Sequence, residues 1–329
     1  MPVPHVACST VSFSSLAALE AYRDDHRGAF GREALLELSY EWRLDSPEQA
    51  PGLAGAVVSV HAPCPRSANF PNLGSRDPKV RRESLEDIRR SAETAAAFGA
   101  SFVVLHPGYT LDVAVPVDAN RRLATLARYA GEEQRWVWMR NGSIARPGYC
   151  ESAGYRLHRE EAIAGLAEAA RLSAAEGVDL AVENLNPRVT YLFQLPAELV
   201  GVVHALPELR ICVDLGHLWI SSLVHGFAFL SGLRDLVATG RVVSAHVHDN
   251  GSCLGTRQAG GVVDAPPDGS QFADEHLAIG RGNVPIAAAV RLLKRAGVRF
   301  LVIETLDPPM HTARPLWGML GHAPGGRMG

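Results

Sequence analysis

The sequence lacks the marks of a secreted, membrane-bound or thiolate-metal protein. Its five cysteines, Cys8, Cys64, Cys150, Cys212 and Cys253, are odd in number, far apart and free of any C-x-x-C pair. That excludes a disulfide framework and a cysteine zinc site, so any metal must be held by nitrogen and oxygen. No apolar stretch reaches membrane-spanning length, and the opening MPVPHVACST has neither a charged start before an apolar run nor a small-residue cleavage site. The expectation is a cytoplasmic protein with no membrane partner. Lysine is almost missing, with Lys79 and Lys294 alone, and the net charge is −3. No strongly basic face is offered to nucleic acid. The densest basic stretch, Arg76 to Arg90, alternates with Glu83, Glu86 and Asp87 at helical spacing, the pattern of a solvated helix face.

What is present is an ordinary globular composition, 47% hydrophobic and 20% charged, which buries a sizeable core. Three segments share one design: AETAAAFGASFVVLH ending at His106, AARLSAAEGVDLAVE ending at Glu183, and RLLKRAGVRFLVIE ending at Glu304. Each is an amphipathic helix, a glycine (Gly99, Gly177 or Gly297) where a left-handed terminator is needed, then an apolar run without polar alternation. Ser84, three before Asp87, forms a capping-box pattern for a helix start, and Pro285 suits a first helical position.

Five further runs, Val3 to Cys8, Ala34 to Ser39, Ala56 to Val60, Leu209 to Val213 and Arg241 to Ala245, raise the strand candidates to eight. No G-x-G-x-x-G opens the first helix. The predicted fold class is therefore α/β, a single-domain (β/α)8 TIM barrel over residues 1–310, with a loose tail at 311–329 in which Trp317 and Leu320 are candidates for docking on a neighbour. Residues 110–158, with Trp136, Trp138, Tyr149 and Tyr155, lengthen the loop after strand 4, and residues 250–273 lengthen the loop after strand 7. Both loops lie on the side where barrel strands end, so they are expected to shape a pocket or lid.

At that side the strand ends look chemically alike. His61, His106, Glu183, Asp214 with His217, His246 and Glu304 close strands 3 to 8, and Asp274 and His276 follow in the seventh loop. A carboxylate directly after a fully apolar run, as at Glu183 and Glu304, is costly to bury unpaired, and a cation is the simplest partner. Nine imidazole and carboxylate groups exceed what one ion uses, which implies a site for two or three divalent cations, zinc first and manganese second. His248 is assigned to support of the ligands or to the substrate side, and Arg66, Arg281 and Arg257 are candidate phosphate donors in mouth-side loops. The remaining histidines, His5, His26, His158, His204, His225, His311 and His322, have no such context and are read as structural or exposed.

The ordered pieces VHAPCPRSANFPNLGS, VVLHPG, LAVENLN, CVDLGH, AHVHD, DEHLAIGRGNV and VIET, spanning residues 56 to 306, resemble the endonuclease IV and xylose-isomerase-like superfamily of TIM barrels. The resemblance implies a trinuclear zinc site in which His61 and His106 serve one ion, and Asp214, His246 and Glu304 a second. Glu183 would bridge these two, and His217, Asp274 and His276 would hold the third. It also implies metal-activated hydroxide hydrolysing a phosphoester, with Glu183, Glu304 and His217 catalytic. Cys64 stands where the DNA-repair members carry a tyrosine, and the two long insertions crowd a groove meant for duplex DNA, so a small phosphorylated or sugar-like substrate is favoured over DNA. The alternative is a sugar or polyol isomerase or epimerase using one divalent metal and a Glu183/Glu304 acid–base pair. A barrel that binds a ligand without turnover is the third reading.

Overall fold

Eight short runs that the sequence sets between helices close on themselves in the computed structural model, which describes residues 3–42, 46–131, 134–137, 143–254, 256–258, 261–263 and 272–322. They are β1 (His5–Ser9), β2 (Leu35–Leu38), β3 (Val57–His61), β4 (Phe102–Leu105), β5 (Asp179–Glu183), β6 (Arg210–Asp214), β7 (Val242–Val247) and β8 (Phe300–Ile303). Every strand pairs in parallel with the next, and β8 closes on β1. The predicted barrel is thus the observed one, and each expected strand falls within about two residues of its place, the usual uncertainty of element ends.

Helices α1 (Leu16–Phe30), α2 (Pro78–Phe98), α3 (Ala119–Tyr129), α4 (Ala153–Ala175), α5 (Pro196–Ala205), α6 (Leu215–His225), α7 (Phe229–Ala238), α8 (Ile286–Ala296) and α9 (Met310–Met319) lie outside the barrel or over its mouth. Gly99 and Gly297 end α2 and α8 at φ 72° and 75°, a region that a side chain would strain, so these glycines serve as the sequence pattern requires. Two expected helix starts shift. Helix α2 begins at Pro78 with the Asp77 carboxylate accepting from Lys79 N at 2.8 Å, and Ser84 lies inside it, donating to Val80 O. Asp-Pro is the stronger signal because the proline needs no partner for its nitrogen. Pro285 is the cap of α8, one place before the first helical residue.

Strand periodicity of two builds two layers from one sequence. Val103, Leu105, Leu180, Val182, Leu301 and Ile303 point outward into the main core with the helices. Phe102, Val104, Ala181, Cys212, Phe300 and Val302 fill the barrel interior. Two residues beyond Val104, Ala181, Cys212 and Val302 come His106, Glu183, Asp214 and Glu304, so the polar groups crown that inner plug.

The stretch from 311 read as a loose tail is helical through Met319. Trp317 is buried, donates from Nε1 to His26 Nε2 at 3.2 Å and carries the Arg32 guanidinium 4.6 Å above its ring. Glycine and proline content misled here because one buried tryptophan with a hydrogen-bond partner outweighs weak helix propensity. In the first insertion, Val115–Pro116 pairs with Asn69–Phe70, and α3 follows. Tyr149 and Tyr155 are buried props, their hydroxyls accepting from Thr190 N and Phe193 N at 2.9 and 2.8 Å. Trp138 and much of the second insertion lie outside the described residues.

Candidate metal centre

Glu183, the last residue of β5, is the hub. Its Oε2 lies 3.2 Å from His61 Nε2 and 3.5 Å from His106 Nε2, and its Oε1 lies 3.4 Å from His246 Nδ1 and 3.5 Å from His217 Nδ1. His61, at the end of β3, turns Nδ1 to Ala62 O at 3.0 Å, which leaves Nε2 as the free donor atom. A second group gathers on His246, whose Nδ1 lies 3.1 Å from Glu304 Oε2 and 3.8 Å from Asp214 Oδ2. Asp214 and His246 are register partners on β6 and β7, which fixes their approach. The third group is joined by Asp274, whose two oxygens lie 3.2 Å from His217 Nε2 and 3.4 Å from His276 Nε2. His276 holds a left-handed φ of 47°, a strained backbone for a non-glycine, with Nδ1 2.8 Å from Glu304 O.

Ligand-type atoms lie within 4.8 Å of one another in three such sets: His61, His106 and Glu183; Glu183, Asp214, His246 and Glu304; and His217, His248, Asp274 and His276. A fourth set adds Cys212 to Glu183 and His246, and burial pushes that thiol, part of the inner plug, up to about 12. All nine residues singled out in the sequence therefore meet at one rim. His248 joins them.

Does the arrangement fit cations? His246 is fully buried, yet neither ring nitrogen makes a hydrogen bond among the described residues, and Asp274 Oδ1 is likewise without one. Buried polar atoms left this way are costly unless something positive sits between them. The charges agree. Burial opposes ionisation of Glu183, but His246 and His106 outweigh it and hold the carboxyl well below its usual range. Burial likewise opposes protonation of His276, and Asp274 outweighs it, raising the imidazole to about 10. Glu183, Asp214, Asp274 and Glu304 are kept ionised and His61, His217, His246 and His276 favoured as cations by each other, whereas burial lowers His106, and metal cations can replace those protons.

Supporting residues escaped the sequence reading. Asn184 clasps the Asp214 backbone on both sides, donating to its O at 3.0 Å and accepting from its N at 2.9 Å. Asn186 Nδ2 donates to Asp274 Oδ2 at 3.0 Å. Glu37, buried in β2, lies 3.0 Å from His246 Nε2 and accepts from Ser59 Oγ at 2.7 Å. Its signal was legible, since an acid inside the run LLEL carries the same burial cost as Glu183.

The groups floor a cavity of about 400 Å³, walled by Tyr40, Tyr109, Tyr191, Arg122, Arg188 and Leu306. Ala119, Arg122, Leu123 and Leu126 of α3 also line it, so the first insertion does shape the pocket. Arg66 and Arg281 do not reach it: Arg66 pairs with Glu41, and Arg281 with Asp307 at 2.6 Å. The Arg257 side chain lies outside the described residues. The arginines at the cavity are Arg122 and Arg188 instead. Arg122 sits 5.1 Å over the Phe70 ring, and no local pattern in the insertion marks it out.

Comparison with known proteins agrees with this architecture. An uncharacterised protein of Methanocaldococcus jannaschii is 22% identical over 213 residues, 65% of this chain and 58% of that protein's length. The chain thus spans little more than half of the relative it matches. A solved D-tagatose 3-epimerase-like protein superposes with TM-score 0.65 at 19% identity, covering 96% of this chain and 97% of that one. An L-ribulose 3-epimerase gives 0.58 at 17% identity over 97% and 92%. Endonuclease IV from Thermus thermophilus gives 0.57 at 18% over 97% and 100%. Likenesses at such identity establish the fold and leave the chemistry to the site. The pattern of one family matches residues 49–318, and by that match the chain belongs to the xylose isomerase-like TIM barrel family.

Proposed function

We propose that this chain hydrolyses a phosphoester of a small molecule with the help of two or three divalent cations, zinc before manganese. The observation that carries the reading is the shared carboxylate: Glu183 touches His61, His106, His217 and His246 at once, joining ligand groups that a one-metal enzyme would not need. Bound there, the cations would supply a hydroxide at neutral pH and neutralise phosphate oxygens. His61 and His106 would hold the first, Asp214, His246 and Glu304 the second, and His217, Asp274 and His276 the third, with Glu183 between the first two.

The chain's own part is to orient and enclose. Ala62 O and Asn184 O, at 3.0 and 3.1 Å from the Nδ1 atoms of His61 and His217, turn both imidazoles toward the rim. Arg122 and Arg188 would receive the anionic part of a substrate beside the wall formed by Tyr40, Tyr109 and Tyr191. A cavity of about 400 Å³ lined in part by α3 suits a small molecule better than duplex DNA.

The second reading, an isomerase or epimerase, rests on Glu183 and Glu304 lying 3.4 and 3.1 Å from the same His246 nitrogen, a pair of carboxylates around one metal position. Elemental analysis of zinc-loaded protein separates the two. Near three ions per chain with cleavage of bis-p-nitrophenyl phosphate supports the hydrolase. One ion per chain, no ester cleavage and interconversion of ketohexoses defeats it.

A further inference from the structure

Two residues of the cavity wall, Arg188 and Tyr191, belong to the loop that joins β5 to α5. That loop follows directly on Glu183 and takes a shape its residues do not favour by themselves. Thr190 and Phe193 hold left-handed φ angles of 81° and 57°, a costly conformation for any residue with a Cβ. The surroundings must therefore keep Arg188 and Tyr191 at the cavity. Tyr149 and Tyr155 accept from the N–H groups of the two strained residues.

Gln194 secures the segment between them. It is buried and does not line the cavity, and its Nε2 donates to both Arg188 O and Tyr191 O at 2.8 Å. Two carbonyls on one side fix the orientation of the amide, because only its NH2 end can serve them. The Oε1 end then faces a donor, His225 Nε2 at 3.1 Å. His225 is the last residue of α6, the helix that Asp214 caps and whose first turn carries His217. One side chain thus joins the substrate-facing loop to the helix that presents two groups of the metal centre.

We propose, building on the phosphoester reading, that Gln194 is a positioning residue for substrate: through the backbone carbonyls of Arg188 and Tyr191 it holds both side chains where they meet the anionic part. His225 holds Gln194 in turn. Gln194 touches none of the metal-centre side chains, so its loss weakens substrate binding while the cations and the chemical step stay in place.

The test compares zinc-loaded wild type with Gln194→Met, which keeps the length and removes the amide, and with His225→Ala and His225→Gln. Fold is checked by circular dichroism and zinc by elemental analysis. Gln194→Met is expected to keep the zinc content of wild type, to raise KM for bis-p-nitrophenyl phosphate about tenfold with little change in kcat, and to bind inorganic phosphate about tenfold more weakly by isothermal titration calorimetry. His225→Ala should show the same direction of change, and His225→Gln, which restores an N–H donor to Gln194, should return toward wild type. If Gln194→Met fails to fold, the two His225 variants decide. A folded Gln194→Met protein with unchanged KM and phosphate affinity overturns the proposal and leaves the hydrolase reading intact, and so does one that loses zinc or kcat at constant KM. Wild type that binds phosphate without cleaving the ester defeats the hydrolase, and the phosphate affinities then judge Gln194 alone. Wild type that does neither overturns both.

Discussion

Glu37 and His246 meet inside the barrel with Oε1 and Nε2 3.0 Å apart, while the opposite nitrogen of the same imidazole looks onto Glu304 at 3.1 Å. The contact is an ion pair out of line for a hydrogen bond, and a carboxylate charge this close behind the imidazole would strengthen its hold on a cation at the other nitrogen. Replacing Glu37 by Gln keeps the shape and removes the charge. Zinc affinity measured by chelator competition is expected to fall about 10- to 100-fold. Unchanged affinity would mean that Glu37 is only a polar filler held by Ser59.

Arg122 and the two arginines paired with acids make opposite predictions. Arg66 and Arg281 are tied to Glu41 and Asp307 away from the cavity, so Arg66→Ala and Arg281→Ala should leave turnover unchanged and shift stability by no more than about 0.5 kcal/mol. Arg122→Ala should raise KM for an anionic ester about tenfold with little change in kcat, the sign of lost binding that is equal in ground and transition states. Steady-state kinetics on all three variants decides.

Trp317 anchors the last helix on α1. Its indole is buried against His26 and Phe30, ring centroids 6.1 and 5.5 Å away. Trp317→Ala removes that ring and leaves a cavity, at an expected cost of about 3–5 kcal/mol in denaturant unfolding. A loss below about 1 kcal/mol would return the segment to the status of a tail.

His225 gives a pH signature away from the metal groups. Burial pushes its imidazole from 6.5 down to about 4, Glu151 opposing only in part, and its Nε2 lies 3.1 Å from Gln194 Oε1. The folded pKa is below the unfolded one, so the unfolded chain binds more protons in between. The contribution is fully present above about 6.5 and is lost as pH falls through about 4, by roughly 3 kcal/mol in all. His225→Gln should flatten this slope. The difference in Tm between wild type and variant, followed from pH 7.5 to 4, reads it, and parallel curves would refute the assignment.

Much of the site was legible because a parallel barrel places each strand's last residue at one rim, so a chelator after an apolar run announces its position in one dimension. His106, Glu183 and Glu304 are of this kind. Asn184 and Asn186 were hidden in plain view beside Glu183, since nothing local distinguishes an asparagine that clasps a backbone from one in a turn. Arg66 and Arg281 were drawn to the mouth by loop position alone, and neighbouring acids took them.

By itself the sequence determined the eight strands, the helices between them and which polar groups stand at the strand ends, because periodicity and burial cost act along the chain. Only the tertiary structure decided the pairings: Glu37 behind His246, His248 in the space left by Gly216, Trp317 on His26, Arg122 over the cavity. Each joins two elements distant in sequence, and their approach is fixed by packing rather than by any local preference.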